Sequence, residues 1–280
     1  MHTTISDGTD TPADLLDTVE KAGITVFSAT DHDAIKGSVM LRDLCRSRKE
    51  TFIPGVEFSC RDGEGRYHIL GYGYDPGAEE INRVVETGHN YRMTKVRKRL
   101  DFLKTEFGLR FSEEDINGLL KLDNPGKPHI GNLMVKYGYA KTKEEAIRSY
   151  INKVKIRSGY IRPEEAIEGI LKSGGVPVLA HPTYGSGDQL ILGDEMEERV
   201  RRLIGFGLRG LEAFYSGFTP KITGGLLKLA DKYDLYVTAG SDYHGTNKLV
   251  VPGETGLEET DSIPDKLKSF LKAVGQGDII

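Results

Sequence analysis

Short apolar runs alternate with amphipathic stretches of helical period along most of this chain. Near the N-terminus, Thr11-Pro12 sets up a helix start, since Thr caps well and Pro suits the first helical position. Ala13, Leu15, Leu16, Val19 and Ala22 then form an apolar stripe that Gly23 closes. Thr25 to Ala29 reads as a strand leading into Asp31 and His32, Phe52 to Phe58 as a strand carrying Glu57, and Tyr67 to Tyr72 as one carrying His68. After Pro76 the pattern changes. From about Glu79 to Tyr160 the chain reads helical and heavily charged. Glu79 to Phe107 is one helix or two, Ser112 is a capped start with Glu113, Glu114 and Asp115 in the first turn, and Pro128 to Tyr137 and Thr142 to Val154 follow. Alternation resumes at Pro163. Helices are expected to Lys172, from Glu195 to Phe206, from Thr219 to Tyr233 and from Pro264 to Val274. Strands are expected at Val176 to Ala180, Gly210 to Tyr215 and Leu235 to Gly240.

Such alternation predicts an α/β fold, a parallel sheet with covering helices. The block at 79–160 offers no strand, so it is expected to be an inserted helical subdomain between residues 1–78 and 161–280. The length agrees, since 280 residues suit one α/β barrel carrying an insertion. Lys and Arg total 38 against 42 Asp and Glu, so a net charge of −4 gives no general attraction to long nucleic acid, and any polyanion contact must be local. Cys45 and Cys60 lack metal-type spacing and read as reduced thiols of a cytoplasmic protein. A run of 18 apolar residues and a signal-peptide pattern are both lacking, which argues against a membrane-spanning role.

The chemistry sits in six short segments: His2-Thr3-Thr4-Ile5-Ser6-Asp7-Gly8, Thr30-Asp31-His32-Asp33, Gly55-Val56-Glu57, His68-Ile69-Leu70-Gly71-Tyr72, Ala180-His181-Pro182 and Ser241-Asp242-Tyr243-His244. Alone, a histidine is more often structural than ligating, and Asp7-Gly8 is an ordinary turn signal. The set is what counts. Asp242 and His244 lie two residues apart at a strand end, where their side chains share a face. Either Asp31 or Asp33 could orient the ring of His32 between them, and Glu57 suits a carboxylate bridging two ions. Most of these residues follow an apolar run, where an α/β barrel gathers its chemistry at the C-terminal ends of its strands. A mixed imidazole and carboxylate set favours Mn, Zn or Fe over Mg or Ca. The expectation is a metal-dependent hydrolase.

With these residues in this order, the chain resembles the polymerase and histidinol phosphatase (PHP) family of phosphoesterases, and within it the TrpH-like branch. Members carry a His-x-His-Thr-x-x-Ser-Asp-Gly start, then Thr-Asp-His-Asp, Gly-Val-Glu, His-Ile-Leu-Gly-Tyr, Ala-His-Pro and Ser-Asp-x-His. All but the first are present here in full. The resemblance implies a distorted (β/α)7 barrel with an inserted helical substrate cap and two or three divalent ions. It implies that His2, Glu57 and Asp242 serve one ion, and that Asp7, His32 and His244 serve another. Glu57, His68 and His181 would serve a further ion and hold a metal-bound hydroxide as nucleophile. His2 takes the place of the second histidine of the opening motif, and the first would lie before Met1. The first ion is therefore expected to be one ligand short, with the start placed too late, the chain truncated or the ligand lacking. Met1, a soft thioether, is a poor substitute.

In the insertion, Arg92, Lys95 and Arg99 can share one helical face. Lys127-Pro128-His129-Ile130 matches a basic-Pro-His segment of the branch. The expected role of Arg92, Arg99, Lys127 and His129 is a phosphate clamp over the metal mouth; a solvated helix face is the plain alternative for the arginines. Tyr184, Phe214 and Tyr215 either stack on a base or pack at the rim. His89 reads as surface. The expected substrate is a small phosphate ester of a nucleotide or short oligonucleotide, such as a nucleoside 3',5'-bisphosphate or the 5' end of short RNA, rather than a long duplex or a membrane. Histidinol phosphate or a cyclic phosphodiester is the alternative substrate, and a non-catalytic metal-binding module the reading from another class.

Overall fold

A computed structural model of the chain describes residues 1–156, 159–185, 189–257 and 263–275. Helix α1 spans Pro12–Lys21, and Thr11 caps it by accepting from the Asp14 amide while Asp14 answers to the Thr11 backbone. Leu15, Leu16 and Val19 are its buried stripe. Strand β1 (Val26–Phe27) runs parallel to β2 (Thr51–Phe52). The expected strand from Phe52 to Phe58 is two strands, β2 and β3 (Gly55–Arg61), with Pro54 between them. Proline has no N–H to give a ladder, which explains the break.

Helix α2 (Lys36–Leu44) has no counterpart in the sequence reading. Its buried positions are Gly37, Ser38 and Leu41, with no side-chain cap at Ile35, so it shows neither an apolar stripe nor a start signal. Gly37 is there for closeness: a Cβ would fall 2.3 Å from Asp31 Oδ2.

Strand β4 (Arg66–Tyr72) pairs antiparallel with β3, with Ser59 opposite His68 and Arg61 opposite Arg66. Strands β5 (Val176–Leu179), β6 (Gly210–Tyr215) and β7 (Tyr236–Gly240) complete a five-stranded sheet in the order β3-β4-β5-β6-β7. The expected parallel pairing holds for β5-β6-β7 and β1-β2, but β4 is antiparallel to both neighbours. The cause is local: only Asp62 to Gly65 separate β3 from β4, too few residues for a parallel crossover.

Between β4 and β5 the described residues are helical: α3 (Glu79–Phe107), α4 (Glu113–Leu120), α5 (Lys127–Lys136), α6 (Lys143–Ser149) and α7 (Pro163–Lys172). Ser112 and Thr142 cap α4 and α6. Gly108 ends the single long α3 with φ 66°, a conformation that favours glycine. Helices α8 (Gly193–Gly205), α9 (Pro220–Lys232) and α10 (Asp265–Ala273) follow the later strands.

Two apolar clusters divide α3 between them. Ile81 and Val84 pack with Phe58, Ile69, Ile167, Ile170, Leu211 and Val237 against the sheet. Val96, Leu100 and Leu103 pack instead with Leu119, Ile130, Met134, Ala146 and Ile151 of the helical block. Helix α3 thus carries the block while remaining rooted beside the sheet. Among the described residues no helix is long and apolar enough to cross a membrane.

Candidate metal centre

The N-terminal loop is pinned by one buried carboxylate. Asp31 accepts from the Thr3 amide at 2.7 Å, the Thr3 hydroxyl at 2.7 Å and the Ser6 hydroxyl at 2.8 Å. His2 donates its amide to the Tyr243 carbonyl at 2.8 Å, beside the end of β7. Gly8 lies against this loop so closely that a Cβ would fall 2.3 Å from the His2 carbonyl oxygen. His32 follows β1 and bridges to Glu57 of β3. His68 stands on β4, and His181 follows β5. Asp242 and His244 follow β7.

Two of these residues hold positive φ without being glycine: His181 at 28° and Asp242 at 55°. Such backbone costs on the order of 1–3 kcal/mol and persists only where the surroundings enforce it. At His181 the enforcing group is Glu212, whose Oε2 accepts the His181 amide at 2.7 Å.

All eight sequence-expected ligands meet in one place. His2 Nε2 is 3.0 Å from Glu57 Oε2 and 3.3 Å from Asp242 Oδ1. Glu57 Oε1 is 2.5 Å from His68 Nδ1 and 3.3 Å from His181 Nε2, and those two nitrogens are 3.2 Å apart. Asp7 Oδ1 is 3.3 Å from His244 Nε2, and His2 and His244 stack at 3.9 Å between ring centroids. His2, Asp7, His32 and His244 can each offer a ligand atom within 4.8 Å of the others, as can His32, Glu57 and His68, and His2, Glu57 and Asp242.

These spacings fit divalent ions. Two ligand atoms about 2.1 Å from one tetrahedral ion stand about 3.4 Å apart, and the His2–Asp242, His68–His181 and His181–Glu57 separations are 3.3, 3.2 and 3.3 Å. The buried Nδ1 atoms of His32 and His181 have no hydrogen-bond partner. An uncompensated buried polar atom is costly unless a ligand meets it.

The electrostatics point the same way. Burial would raise the Glu57 pKa, but His32, His68, His181 and His2 outweigh it and hold the carboxyl well below its ordinary value. Asp7 and Asp242 are held low against burial by their histidines, and Asp242 also by Lys248. Burial would lower His2, yet its hydrogen bonds to Asp242 and Glu57 push it up to about 9. Burial takes His32 down to about 3. Three carboxylates held well below their ordinary values make a centre arranged for positive charge.

Several neighbours went unrecognised in the sequence. Asp31 and Asp33 do not orient the His32 ring: Asp31 holds the N-terminal loop, and Asp33 takes the Arg92 guanidinium at 3.1 and 2.8 Å. Asn124 donates its amide to the His32 carbonyl instead, and half-buried His89 faces Asn124 Oδ1 at 3.3 Å. Tyr215 and Lys248 both reach Asp242 Oδ2. Nothing local in the sequence marks Asn124, Glu212 or Lys248, because each acts across a distant contact.

The insertion residues lie nearby but are not a solvated face. Arg92, Lys95 and Arg99 are all buried. Arg92 also donates to Ser59 Oγ at 3.1 Å, and its Nη1 approaches Gly126 at the start of α5, beside Asp7. His129 Nδ1 accepts the Gly126 amide at 3.0 Å. Lys127 Nζ donates to Asn152 Oδ1 at 2.6 Å. Of the aromatics, Phe214 is buried, whereas Tyr184, Tyr215 and Phe218 cluster beside His181 with centroids 5.0 to 6.0 Å apart.

No protein-family model matches the chain. Among curated proteins it is 26% identical to a 3',5'-nucleoside bisphosphate phosphatase of Chromobacterium violaceum, covering 94% of this chain and 91% of that one. It is 29% identical to a phosphoribosyl 1,2-cyclic phosphate 1,2-diphosphodiesterase of Eggerthella lenta (88% and 92%), and 25% identical to a 5'-3' exoribonuclease of Haemophilus influenzae (87% and 88%). Among solved structures it superposes on a metal-dependent phosphoesterase of Bifidobacterium adolescentis with TM-score 0.81 and 28% identity, over 97% of this chain and 94% of that one.

Proposed function

We propose that this chain, which belongs to the PHP family of metal-dependent phosphoesterases, hydrolyses phosphate esters of nucleotides or short oligonucleotides. The observation that carries the reading is the shared carboxylate of Glu57, with Oε2 toward His2 and Oε1 toward His68 and His181. We read His2, Glu57 and Asp242 as one ligand set, Glu57, His68 and His181 as a second, and Asp7, His32 and His244 as a third. Two or three Mn, Zn or Fe ions suit these donors. Ions held there would lower the pKa of a bound water and neutralise charge growing on the phosphoryl and leaving oxygens.

The protein's own groups do the positioning. Tyr215 and Lys248 fix Asp242, and Glu212 fixes the backbone of His181. His68 is the most open of the set, its side chain 33% exposed, so we place substrate access on its side. Helices from residues 79–160 act in this reading as a cap that limits access to small esters and excludes water. His129 and Arg92 lie toward Asp7 as phosphate-binding groups, with Lys127 and Arg99 beyond them. Tyr184, exposed beside His181, suits a stacked base.

We also read the sheet as the distorted (β/α)7 barrel. The Met1 carbonyl accepts from Thr30 after β1 and the His2 amide donates to Tyr243 after β7, each at 2.8 Å, which supports closure of the ring through the N-terminal residues. Free Cys45 and buried free Cys60 suit the cytoplasm.

The test is a screen of Mn-loaded protein against mononucleotides, 3',5'-bisphosphates, cyclic phosphodiesters and short oligonucleotides. Asp242→Asn and His181→Ala are each expected to abolish turnover while circular dichroism stays unchanged. Wild-type rates in either variant would overturn the site.

A further inference from the structure

Two asparagines lie where the helical block meets the metal centre. Asn124, in the turn between α4 and α5, is 1% exposed. Its amide donates to the His32 carbonyl, and its Oδ1 faces His89 of α3 at 3.3 Å. Asn247 follows β7. Its Nδ2 donates to the Asp7 carbonyl at 2.8 Å, and its backbone amide donates to the His244 carbonyl at 3.3 Å. Three candidate ligand residues are thus held by their main-chain oxygens. They are Asp7, His32 and His244, whose ligand atoms lie within 4.8 Å of one another.

Asn247 is itself held from the helical block. Lys143 of α6 donates its Nζ to the Asn247 carbonyl at 2.8 Å and to Asn247 Oδ1 at 3.0 Å. An ammonium group only donates, so it fixes the amide with Nδ2 turned toward Asp7. This lysine is not a surface side chain. It is 14% exposed, and its stem crosses α5 at Gly131, where a Cβ would fall 3.1 Å from Lys143 Cγ. The exposed pair Lys36–Asp123, at 2.8 Å, also ties the block down, but exposed ion pairs contribute little. The sheltered bonds of Asn124 and Lys143 matter more, because losing one leaves a partner unsatisfied.

The remaining ligand residues are fixed from elsewhere. His68 belongs to β4, His181 is held through its amide by Glu212, and Asp242 takes Tyr215 and Lys248. The block therefore acts on one ligand set and not on the others. A carbonyl shifted by a fraction of an ångström carries its side chain with it, and a ligand set tolerates little displacement.

We propose that Asn124 and the Lys143–Asn247 pair are positioning residues that couple docking of the helical block to metal affinity at Asp7, His32 and His244. The block then completes one metal site as well as covering the centre. The coupling is reciprocal: an ion in that set holds the block down by the factor by which the docked block tightens the ion. The coupling rests on the reading of these three residues as metal ligands.

Full-length wild type, Asn124→Ala and Lys143→Met are compared by elemental analysis and by chelator competition with Mn and with Zn. Groups that orient ligands are typically worth about 10–100-fold in metal affinity, so each variant is expected to bind one ion at least about tenfold less tightly and the others as wild type does. Unchanged affinity for every ion in both variants overturns the proposal. Equal weakening of every ion also overturns it, because that is the mark of a loosened fold. A second measurement needs no variant. Mn added to stripped wild type is expected to slow amide hydrogen exchange across α5 and α6 by at least about fivefold, and to slow it less in Lys143→Met. Exchange there that ignores the metal overturns the coupling while leaving the ligand reading intact. Wild type that takes up neither Mn nor Zn removes the ligand reading and the coupling together.

Discussion

Tyr215 donates its hydroxyl to Asp242 Oδ2 at 3.0 Å, which leaves Asp242 Oδ1 facing His2 Nε2 at 3.3 Å. A hydrogen bond of this kind fixes which carboxylate oxygen would meet an ion held there. Such outer partners are typically worth about 10–100-fold in metal affinity. Tyr215→Phe is therefore expected to weaken Mn or Zn binding by at least about tenfold in a chelator competition, with the melting temperature of metal-free protein little changed. Unaltered affinity would show that Lys248, on the same oxygen at 2.5 Å, suffices alone.

Gly8 tests the N-terminal loop. An alanine Cβ would sit 2.3 Å from the His2 carbonyl oxygen and 2.9 Å from the Thr3 nitrogen, both backbone atoms that a rotamer change cannot move aside. Gly8→Ala is expected to displace His2 and Asp7 together and to lower the measured metal content per chain by one ion or more. Full stoichiometry by elemental analysis would mean that the loop yields without loss.

Metal should stabilise the fold, because Asp7, Glu57 and Asp242 are three carboxylates gathered around His2. A ligand at about a hundred times its Kd adds about 2.7 kcal/mol. For a chain of this size that is on the order of 5–10 °C in melting temperature. The expected result is a rise of this order on adding Mn or Zn to stripped protein. Identical melting curves with and without metal would contradict the ligand assignment independently of any activity.

Phosphate binding by the lysines of the helical block, Lys127 with Lys95 beside it, should weaken as pH rises. Burial, with some repulsion from neighbouring arginines, lowers Lys95 to about 7 and Lys127 to about 8. Below those values both ammonium groups are charged and attract phosphate; above them each becomes neutral and its attraction is lost. Phosphate affinity is expected to be lower at pH 9 than at pH 6. A flat profile would mean that the arginines alone hold the anion.

Much of this molecule could be read from its sequence. Thr11 and Ser112 cap helices where their hydroxyls suggested, because capping is decided within three residues. The candidate ligands were also visible, since imidazole and carboxylate carry their chemistry wherever the chain takes them. Helix α2 was not visible, because only Leu41 of its apolar residues is buried and packing rather than periodicity holds it.

The tertiary structure decided which of those residues act together. His2 and Asp242 lie 3.3 Å apart across nearly the whole chain, and only the order of the strands brings them there. It also divided the α3 cations: Arg92 is paired with Asp33, while Arg99 and Lys95 lie beside Tyr160 with Arg61 of β3 and Arg66 of β4. The physical reason is one of range. Helix caps and strand alternation arise from neighbours along the backbone and so are written locally. A cluster of charges is stable or costly according to what packing places beside it, and no stretch of sequence contains that.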